Sequence, residues 1–555
     1  MRARLLASVT ALGQTMRNHD LRRAQASFAA SWTSEWALTV IVGVVAYGDG
    51  GAALVGIVAA LRMALPAFVS PFASALADRK RRDRVLVFSG LVRAVVTALA
   101  ALLLAVHGPL PVFYGLIVLA SCAFILVRSA NSALVPLLCR SPLELTSAMA
   151  SRGLLDSAST LVGPLLAALV LGVSTPAVAV VTVALLSAAS SAVLLGLTYE
   201  VPARVSSTLS ARAIATEAAA GFRVLREERD AALLVALALV QTFIRGCLTV
   251  FIVVLAFTVL HTGEEGVGLL TAAIGAGATA GSVAAFSLVS GRRLAAVGGG
   301  GITLWGLPLV VSSAVSSTPG LVALMAAVGV GNSLLDFGFF TLLVRLVPEG
   351  LLGRLFGVFE SLVALAVALG SLVAPLLIDR LGLRGALLLV GLLAPVAVLL
   401  ALPRLLHIDR TMGRRDEEID VLRRVGMFQP LPMPVIDHLA TVVGRAHVDA
   451  GADVFHQGDE GDFLYVIEHG TADVIGDGRL IRELQSGACF GEVALLNSSP
   501  RTATVRAHSE LDLYTLGRAD FLLAVTGCSA TGHEAQVLMH ERLETFAPAP
   551  PVRGG

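Results

Sequence analysis

Charge is scarce in this chain. Of 555 residues only 15% are Asp, Glu, Lys or Arg, while 56% are hydrophobic and the mean hydropathy is +0.81. An ordinary globular protein carries about 25% charged residues, so the apolar excess points to lipid rather than to a large core. The net charge of +1 gives no compositional support for a polyanionic partner such as nucleic acid. Cysteine is equally thin. Cys122, Cys139, Cys247, Cys489 and Cys528 show no paired spacing, which excludes a disulfide framework and a zinc site. The arginine-rich N-terminus (Arg2, Arg4, Arg17, Arg22, Arg23) leads into an apolar run without a small-residue cleavage site, so no removable signal peptide is expected. No cluster of nucleophile, base or metal ligands stands out, and an enzyme is not expected.

The apolar residues are unevenly distributed. A bilayer-crossing helix needs about 20 mostly apolar residues. Runs of that length fall at 24–47, 52–77, 84–106, 111–138, 148–172 and 176–198, then at 232–259, 266–290, 295–315, 320–346, 355–379 and 384–404. Turn-forming breaks such as "YGDGG", "HGPLP", "HTGEEG" and "SSTPG" separate them. Twelve spans are therefore expected. Arginines cluster at alternate ends, in the N-terminus, at "DRKRRDR", between Arg204 and Arg229, at "GRR" and from Arg404 to Arg415. The positive-inside rule then predicts that both termini are cytoplasmic, in a multi-pass protein of the plasma membrane.

The two sets of six spans echo each other. "NSALVP", "GLLDS" and "LVGPLLA" in the first recur in order as "NSLLDF", "GVFES" and "LVAPLLI" in the second, at nearly constant offset. Such duplicated halves build a large class of secondary transporters with the solute between them. The predicted organisation is a six-helix half over 1–198, a linker with a surface amphipathic helix over 199–231, and a second half over 232–406. A linker over 407–419, a soluble domain over 420–546 and a disordered tail over 547–555 complete it.

Charges within the spans stand out, because each costs about 2.5–3.5 kcal/mol at the bilayer centre on insertion scales. Glu35, Arg62, Arg245 and Asp336 are the candidates for handling solute or protons. Arg128, Asp156 and Glu360 are candidates for gating or for pinning helices, Arg128 with Asp156 for instance.

Two stretches carry a family resemblance. "SALADRKRR" resembles the loop between the second and third helices of major facilitator superfamily transporters, although Ser74 and Arg81 stand where that pattern has glycines. The resemblance implies that Asp78, Arg79 and the basic residues after them latch the two halves together. "GPLLAA" is similar to the fifth-helix motif of that family's proton-coupled exporters, with Gly163 allowing close packing and Pro164 a bend.

After "RRDEEID" the pattern changes to short amphipathic pieces separated by Gly451, Gly458, Gly461, Gly470 and Gly476 to Gly478, which predicts a small β-roll with flanking helices. Within it lies "FGEVALLNSSPRTATV". Gly491 lets backbone approach a ligand, and Glu492 can accept a hydrogen bond from a ribose hydroxyl. The "VALL" turn offers free N–H groups to an anion, and Arg501 can bind a phosphate with two charged hydrogen bonds.

This stretch resembles the phosphate-binding cassette of cyclic nucleotide-binding domains. The resemblance implies that Glu492 holds the ribose 2′-hydroxyl and Arg501 the cyclic phosphate. Backbone at Gly491, Val493, Ala494 and Ala503 would complete the cradle, with Thr502 beside it. No cofactor is expected; cAMP or cGMP enters as a regulatory ligand, and which of the two is left open.

The expected fold is thus an all-α polytopic membrane bundle in two six-helix halves, followed by a C-terminal α+β cyclic nucleotide-binding roll. The expected function is a secondary active transporter, a proton-coupled exporter of small amphipathic molecules regulated by cAMP or cGMP. Its partners would be the lipid bilayer, the nucleotide, the solute and protons, with no nucleic acid. The alternative is a membrane receptor for the nucleotide that does not transport.

Overall fold

A computed structural model of the chain describes residues 18–79, 81–139, 142–197, 221–288, 293–347, 349–429, 431 and 433–526. The chain divides into two compact units, Met1–Ile408 and Asp409–Gly555.

The first unit is helical throughout. Its helices are α1 (His19–Arg79), α2 (Arg82–Ala105), α3 (Leu110–Leu138), α4 (Pro142–Val173), α5 (Pro176–Ala192), α6 (Arg229–Val254), α7 (Gly263–Leu288), α8 (Leu294–Ser312) and α9 (Thr318–Leu346). A last helix, α10 (Glu349–Arg424), continues into the second unit. Among the described residues, nine helices are long and apolar enough to cross a membrane, and α5 is a shorter apolar one.

Two of the long helices are interrupted. Non-helical backbone at Gly50 and Gly51 splits α1 between the expected spans 24–47 and 52–77. Gly382, at φ 70°, splits α10 between 355–379 and 384–404. Only glycine takes that left-handed geometry without strain.

Large apolar side chains point outward from these helices, among them Phe68, Val173 and Leu400, each more than three-quarters exposed. Such a belt suits hydrocarbon and would be an aggregation hazard in water. Helix pairs approach closely where small residues meet. A Cβ on Gly163 would lie 2.7 Å from the Thr33 carbonyl and the Trp36 side chain. One on Gly268 would lie 2.7 Å from the Pro164 carbonyl, and one on Gly275 2.6 Å from the Thr160 carbonyl. Those contacts lock α4 against α1 and α7 by van der Waals packing, the main attraction available in lipid.

In the second unit, helix α11 (Met433–Val442) precedes eight strands: β1 (Gly444–Val448), β2 (Asp453–Phe455), β3 (Phe463–His469), β4 (Ala472–Gly476), β5 (Arg479–Leu484), β6 (Cys489–Phe490), β7 (Thr504–Ala507) and β8 (Leu511–Gly517). Helix α12 (Glu492–Asn497) sits between β6 and β7, and α13 (Arg518–Thr526) follows β8. The strands form two four-stranded antiparallel sheets, ordered β1-β8-β3-β6 and β2-β7-β4-β5.

Alternation explains the layering. Along β8, Leu511 and Leu513 join a core with Ile467, Val474, Phe490 and Val505, whereas Tyr514 and Leu516 join another with Phe428, Ile436 and Phe521. One sheet is therefore buried on both faces, against the second sheet and against helices.

Candidate functional site

Two sites are candidates, one in each unit. In the second unit, β6 delivers Phe490 into the core, and the chain then turns at Gly491, which has φ 90°. A Cβ there would meet Arg501 Nη1 at 2.5 Å, so the turn needs glycine twice over, for conformation and for room. The turn starts α12, whose first residue, Glu492, is almost fully buried.

Arg501 is also buried, at 4% exposure. Its Nη1 donates to the Gly491 carbonyl and its Nη2 to the Phe463 carbonyl, both at 2.8 Å. The guanidinium lies 4.2 Å from the Phe455 ring centroid and 5.7 Å from that of Tyr465. Its backbone is fixed as well: Gly458 N donates to the Arg501 carbonyl and Arg501 N to the Asp459 carbonyl. Burial pushes the guanidinium below its ordinary pKa, and Tyr465, Glu492, Asp462 and Asp459 act in the opposite sense.

These two side chains line one cavity, open to solvent, whose walls include Val493, Ala494, Thr502 and Ala503. All seven residues of the expected cassette are thus together. The cavity also takes in Arg482 from β5, which the sequence reading passed over. A phosphate-bearing ligand fits this donor set. Arg501 Nε is buried with no partner among the described residues, and a guanidinium has five donors, of which two hydrogen bonds are made to protein.

In the first unit, charges gather at two places. Glu35, on α1, bridges two arginines: Arg62 Nη2 donates to its Oε1 at 2.7 Å and Arg93 Nη2 to its Oε2 at 2.8 Å. Arg62 and Arg93 are 5% and 1% exposed, and Arg62 Nε also reaches Ser121 Oγ at 3.1 Å. Arg93 packs on the Phe124 ring, 4.6 Å from its centroid, and its Nε and Nη1 have no partner among the described residues. Sequence reasoning took Glu35 and Arg62 but missed Arg93. The signal was present, an arginine midway along "FSGLVRAVVTA".

The second place draws on five helices. Arg128, Asp156, Arg245, Asp336 and Glu360 sit on α3, α4, α6, α9 and α10, within apolar helices, yet all are accessible. Arg245 is acted on by Asp336, Arg128, Glu360 and Asp156, and Asp156 by Arg152, Arg128 and Arg245. Ionisable side chains within apolar helices are expected to face one another or water rather than hydrocarbon.

Arg128, the expected partner of Asp156, also donates a hydrogen bond from Nη2 to Glu360 Oε1 at 3.0 Å. Asp156 lies within the influence of both Arg152, one turn before it on α4, and Arg128. Asn332 Nδ2 donates to Asp336 Oδ2 at 2.8 Å. Farther along α1, Tyr47 stacks on Phe257 with centroids 4.7 Å apart, and a Cβ on Gly43 would lie 3.2 Å from Val253 Cγ2.

Gly163 packs as described above, and Pro164 lies inside α4. Asp78 and Arg79 end α1, but their side chains lie outside the described residues, as do residues 199–220 of the expected linker with its surface helix. The closing helix "HEAQVLMHERLETF" lies outside them too.

Comparison with known proteins finds a family match for each region. The family described as Major Facilitator Superfamily matches residues 26–366, more than half of the 555. The chain belongs to the Major Facilitator Superfamily. To this superfamily portion is joined a second match, the cyclic nucleotide-binding domain, over residues 445–525.

That second region is similar to the cAMP-dependent protein kinase regulatory subunit of Eremothecium gossypii, 42% identical over 13% of this chain and 16% of the relative. It is 33% identical to that of Colletotrichum orbiculare over 23% of this chain and 34% of the relative. It is 29% identical to the cGMP-dependent protein kinase egl-4 of Caenorhabditis elegans, over 21% of this chain and 15% of the relative. This superfamily member therefore spans between 15% and 34% of these relatives' lengths. Among solved structures it resembles the regulatory domain of Toxoplasma gondii PKA with cAMP. The identity is 26% and the TM-score 0.22, covering 24% of this chain and 52% of that one.

Proposed function

We propose that the chain is a secondary active transporter, a proton-coupled exporter of small amphipathic molecules, whose cycle is regulated by cAMP or cGMP bound at the C-terminal domain. The observation that carries this reading is the set of mid-helix charges on α3, α4, α6, α9 and α10, which in this reading line a solute cleft between two halves. Arg128 and Glu360 join the halves there by an ion pair that is about half exposed on each side. An inert anchor has no use for charges that each cost about 2.5–3.5 kcal/mol to insert. Superfamily membership supports transport, and the cassette supports a nucleotide ligand.

The twelve-span organisation in two six-helix halves, with both termini in the cytoplasm of a plasma-membrane protein, belongs to the same proposal. The cleft would then open toward the cytoplasm in the described conformation, because it lies near the ends of α3 and α4 that the arginine distribution assigns to that side. Asp336 and Glu35 are the carboxylates proposed for proton handling, with Arg245 and Arg62 beside them, and Asp78 with Arg79 for the cytoplasmic latch. In the second unit, Glu492 would hold the ribose and Arg501 the phosphate of the nucleotide, whose binding supplies the regulatory signal. No enzymatic step is assigned.

The test is reconstitution of the full chain into liposomes. A panel of labelled organic anions, cations and neutral amphiphiles is offered with an imposed proton gradient, with and without cyclic nucleotide. Gradient-driven movement of one class, altered by nucleotide, is expected. Nucleotide binding without movement of any class would favour the receptor instead.

A further inference from the structure

The glycines between the strands of the second unit are of two kinds. Gly451, Gly458, Gly470 and Gly478 turn the chain at φ between 78° and 95°, where only glycine is unstrained. Gly461, in the loop between β2 and β3, is not in that region, so its backbone would accept alanine. What is missing there is room. A Cβ on Gly461 would lie 3.0 Å from Arg501 Cζ, 3.1 Å from Arg501 Nε and 3.0 Å from Ala494 Cβ. Both neighbours belong to the cassette. Gly461 itself is buried and stands outside the lining of the cavity.

Neither side of this contact is free to give. The loop is tied down on both flanks of Gly461: the Asp459 carbonyl accepts from Arg501 N and the Asp462 carbonyl from Arg518 N, each at 2.8 Å. The guanidinium is held by the Gly491 and Phe463 carbonyls and by the Phe455 ring. That ring packs in turn on Tyr465 and Phe490, with centroids 5.7 and 5.8 Å away. A close-packed interior passes a small displacement on rather than absorbing it. A side chain at 461 must therefore move the guanidinium, or Ala494 at the start of α12, or both. The edge it meets is Arg501 Nε, the donor that is buried without a partner among the described residues.

We propose that Gly461 is a positioning residue for nucleotide binding: the absence of its side chain sets where the Arg501 guanidinium stands, and so how its donors meet a phosphate. This rests on the nucleotide reading of the cassette, to which it adds a residue that touches no ligand. The planar fork of a guanidinium binds phosphate through aligned, charge-assisted hydrogen bonds, and these weaken steeply when the donor is turned off line. A shift too small to disturb the roll is thus large enough to disturb the ligand.

The test titrates labelled cAMP and cGMP by equilibrium dialysis against the full-length protein in detergent. Gly461→Ala is expected to weaken both nucleotides about tenfold, the loss of part of a charged hydrogen bond, and Gly461→Val to weaken them further. The two nucleotides should lose alike, because the cyclic phosphate is common to them. The deciding measurement repeats Gly461→Ala in an Arg501→Ala background. That change removes Cζ and Nε, so the added methyl should cost less than about twofold more. A loop that had merely misfolded would cost as much in one background as in the other.

The proposal is overturned if both Gly461 variants bind as the parent does, or if Gly461→Ala costs the same with and without the Arg501 side chain. A loss confined to one nucleotide overturns it as well, since that would place Gly461 at the base and not at the phosphate. A parent protein that binds neither nucleotide sinks the nucleotide reading, and this inference with it. A parent that binds, with losses that simply add, sinks this inference alone.

Discussion

Arg93 and Arg62 reach the two oxygens of one carboxylate from different stretches of chain, at 2.8 and 2.7 Å, so that two buried guanidinium groups share Glu35 as their counter-charge. Among the described residues neither arginine pairs with another carboxylate. Removal of Glu35 therefore does not delete one interaction. It leaves two buried cations facing each other.

The first prediction follows from that geometry. Glu35→Gln should destabilise the membrane unit strongly, since breaking a buried pair by removing one partner costs about 3–5 kcal/mol. Glu35→Gln combined with Arg93→Met should lose less than Glu35→Gln alone, because the second change removes a stranded charge. Thermal unfolding of the detergent-solubilised variants measures this. A single mutant as stable as the parent would show that water or lipid already satisfies the arginines.

The second prediction concerns the nucleotide cassette. Arg501→Ala should lower the affinity for cyclic nucleotide by at least the ~1.5–3 kcal/mol of a charged hydrogen bond, roughly 10–150-fold. Gly491→Ala should be as damaging by another route, since it puts a Cβ at 2.5 Å from Arg501 Nη1 on backbone at φ 90°. Calorimetry on the full chain reads both. Unchanged affinity in the two variants would move the ligand elsewhere.

The base end of the same cavity gives a third. Arg482, on β5, lines the cavity together with Thr502. A guanidinium matches the O6 and N7 acceptors of guanine, while adenine offers an amino donor where guanine has O6. Arg482→Ala should therefore cost cGMP about 1–3 kcal/mol and cAMP less, reducing any preference for cGMP. Competition binding with both nucleotides checks it, and an equal loss for the two would mean that Arg482 does not read the base.

What the sequence disclosed and what it hid differ in kind. Apolar runs and the glycines that break them are local signals, which is why Gly50, Gly51 and Gly382 could be read as turns between spans. The cassette is local too: Gly491 to Ala503 needs only its own short stretch to declare a phosphate cradle. Arg93 and Arg482 were missed because each means little alone. Arg93 acquires its role only when α2 packs against α1 and brings it to Glu35. Arg482 does so only when β5 pairs with β4 and closes one wall of the cavity. Arg128 shows the same limit, since nothing in its neighbourhood along the chain points to Glu360.

That ion pair carries the fourth prediction. Arg128 and Glu360 are half exposed, so their pairing is worth only about 0–1 kcal/mol to stability. Its effect should appear instead in the exchange between cleft-open and cleft-closed states, because the pair joins the halves across the cleft. Arg128→Glu or Glu360→Arg alone should slow transport with little change in unfolding temperature, and the double reversal should restore part of the rate. Equal rates in all four proteins would make the pair incidental.

The last prediction is that nucleotide and solute binding are linked. If the C-terminal domain regulates the bundle, nucleotide must favour one conformation of the transport cycle over another, and only differential affinity can do that. Coupling between distinct sites is typically about 1–3 kcal/mol, or roughly 5–150-fold in an equilibrium. Linkage is reciprocal: a solute that favours one state must change nucleotide affinity by the factor by which nucleotide changes solute affinity. Both factors can be measured on the full chain in detergent, by titrating each ligand with the other absent and then saturating. Arg501→Ala should remove the nucleotide effect on solute while leaving solute binding itself in place, which separates coupling from damage to the cleft. Equal, non-unit factors in the parent and no effect in the variant are expected. Affinities that ignore the other ligand in both directions, with transport indifferent to nucleotide, would mean that the two units share a chain without sharing a mechanism.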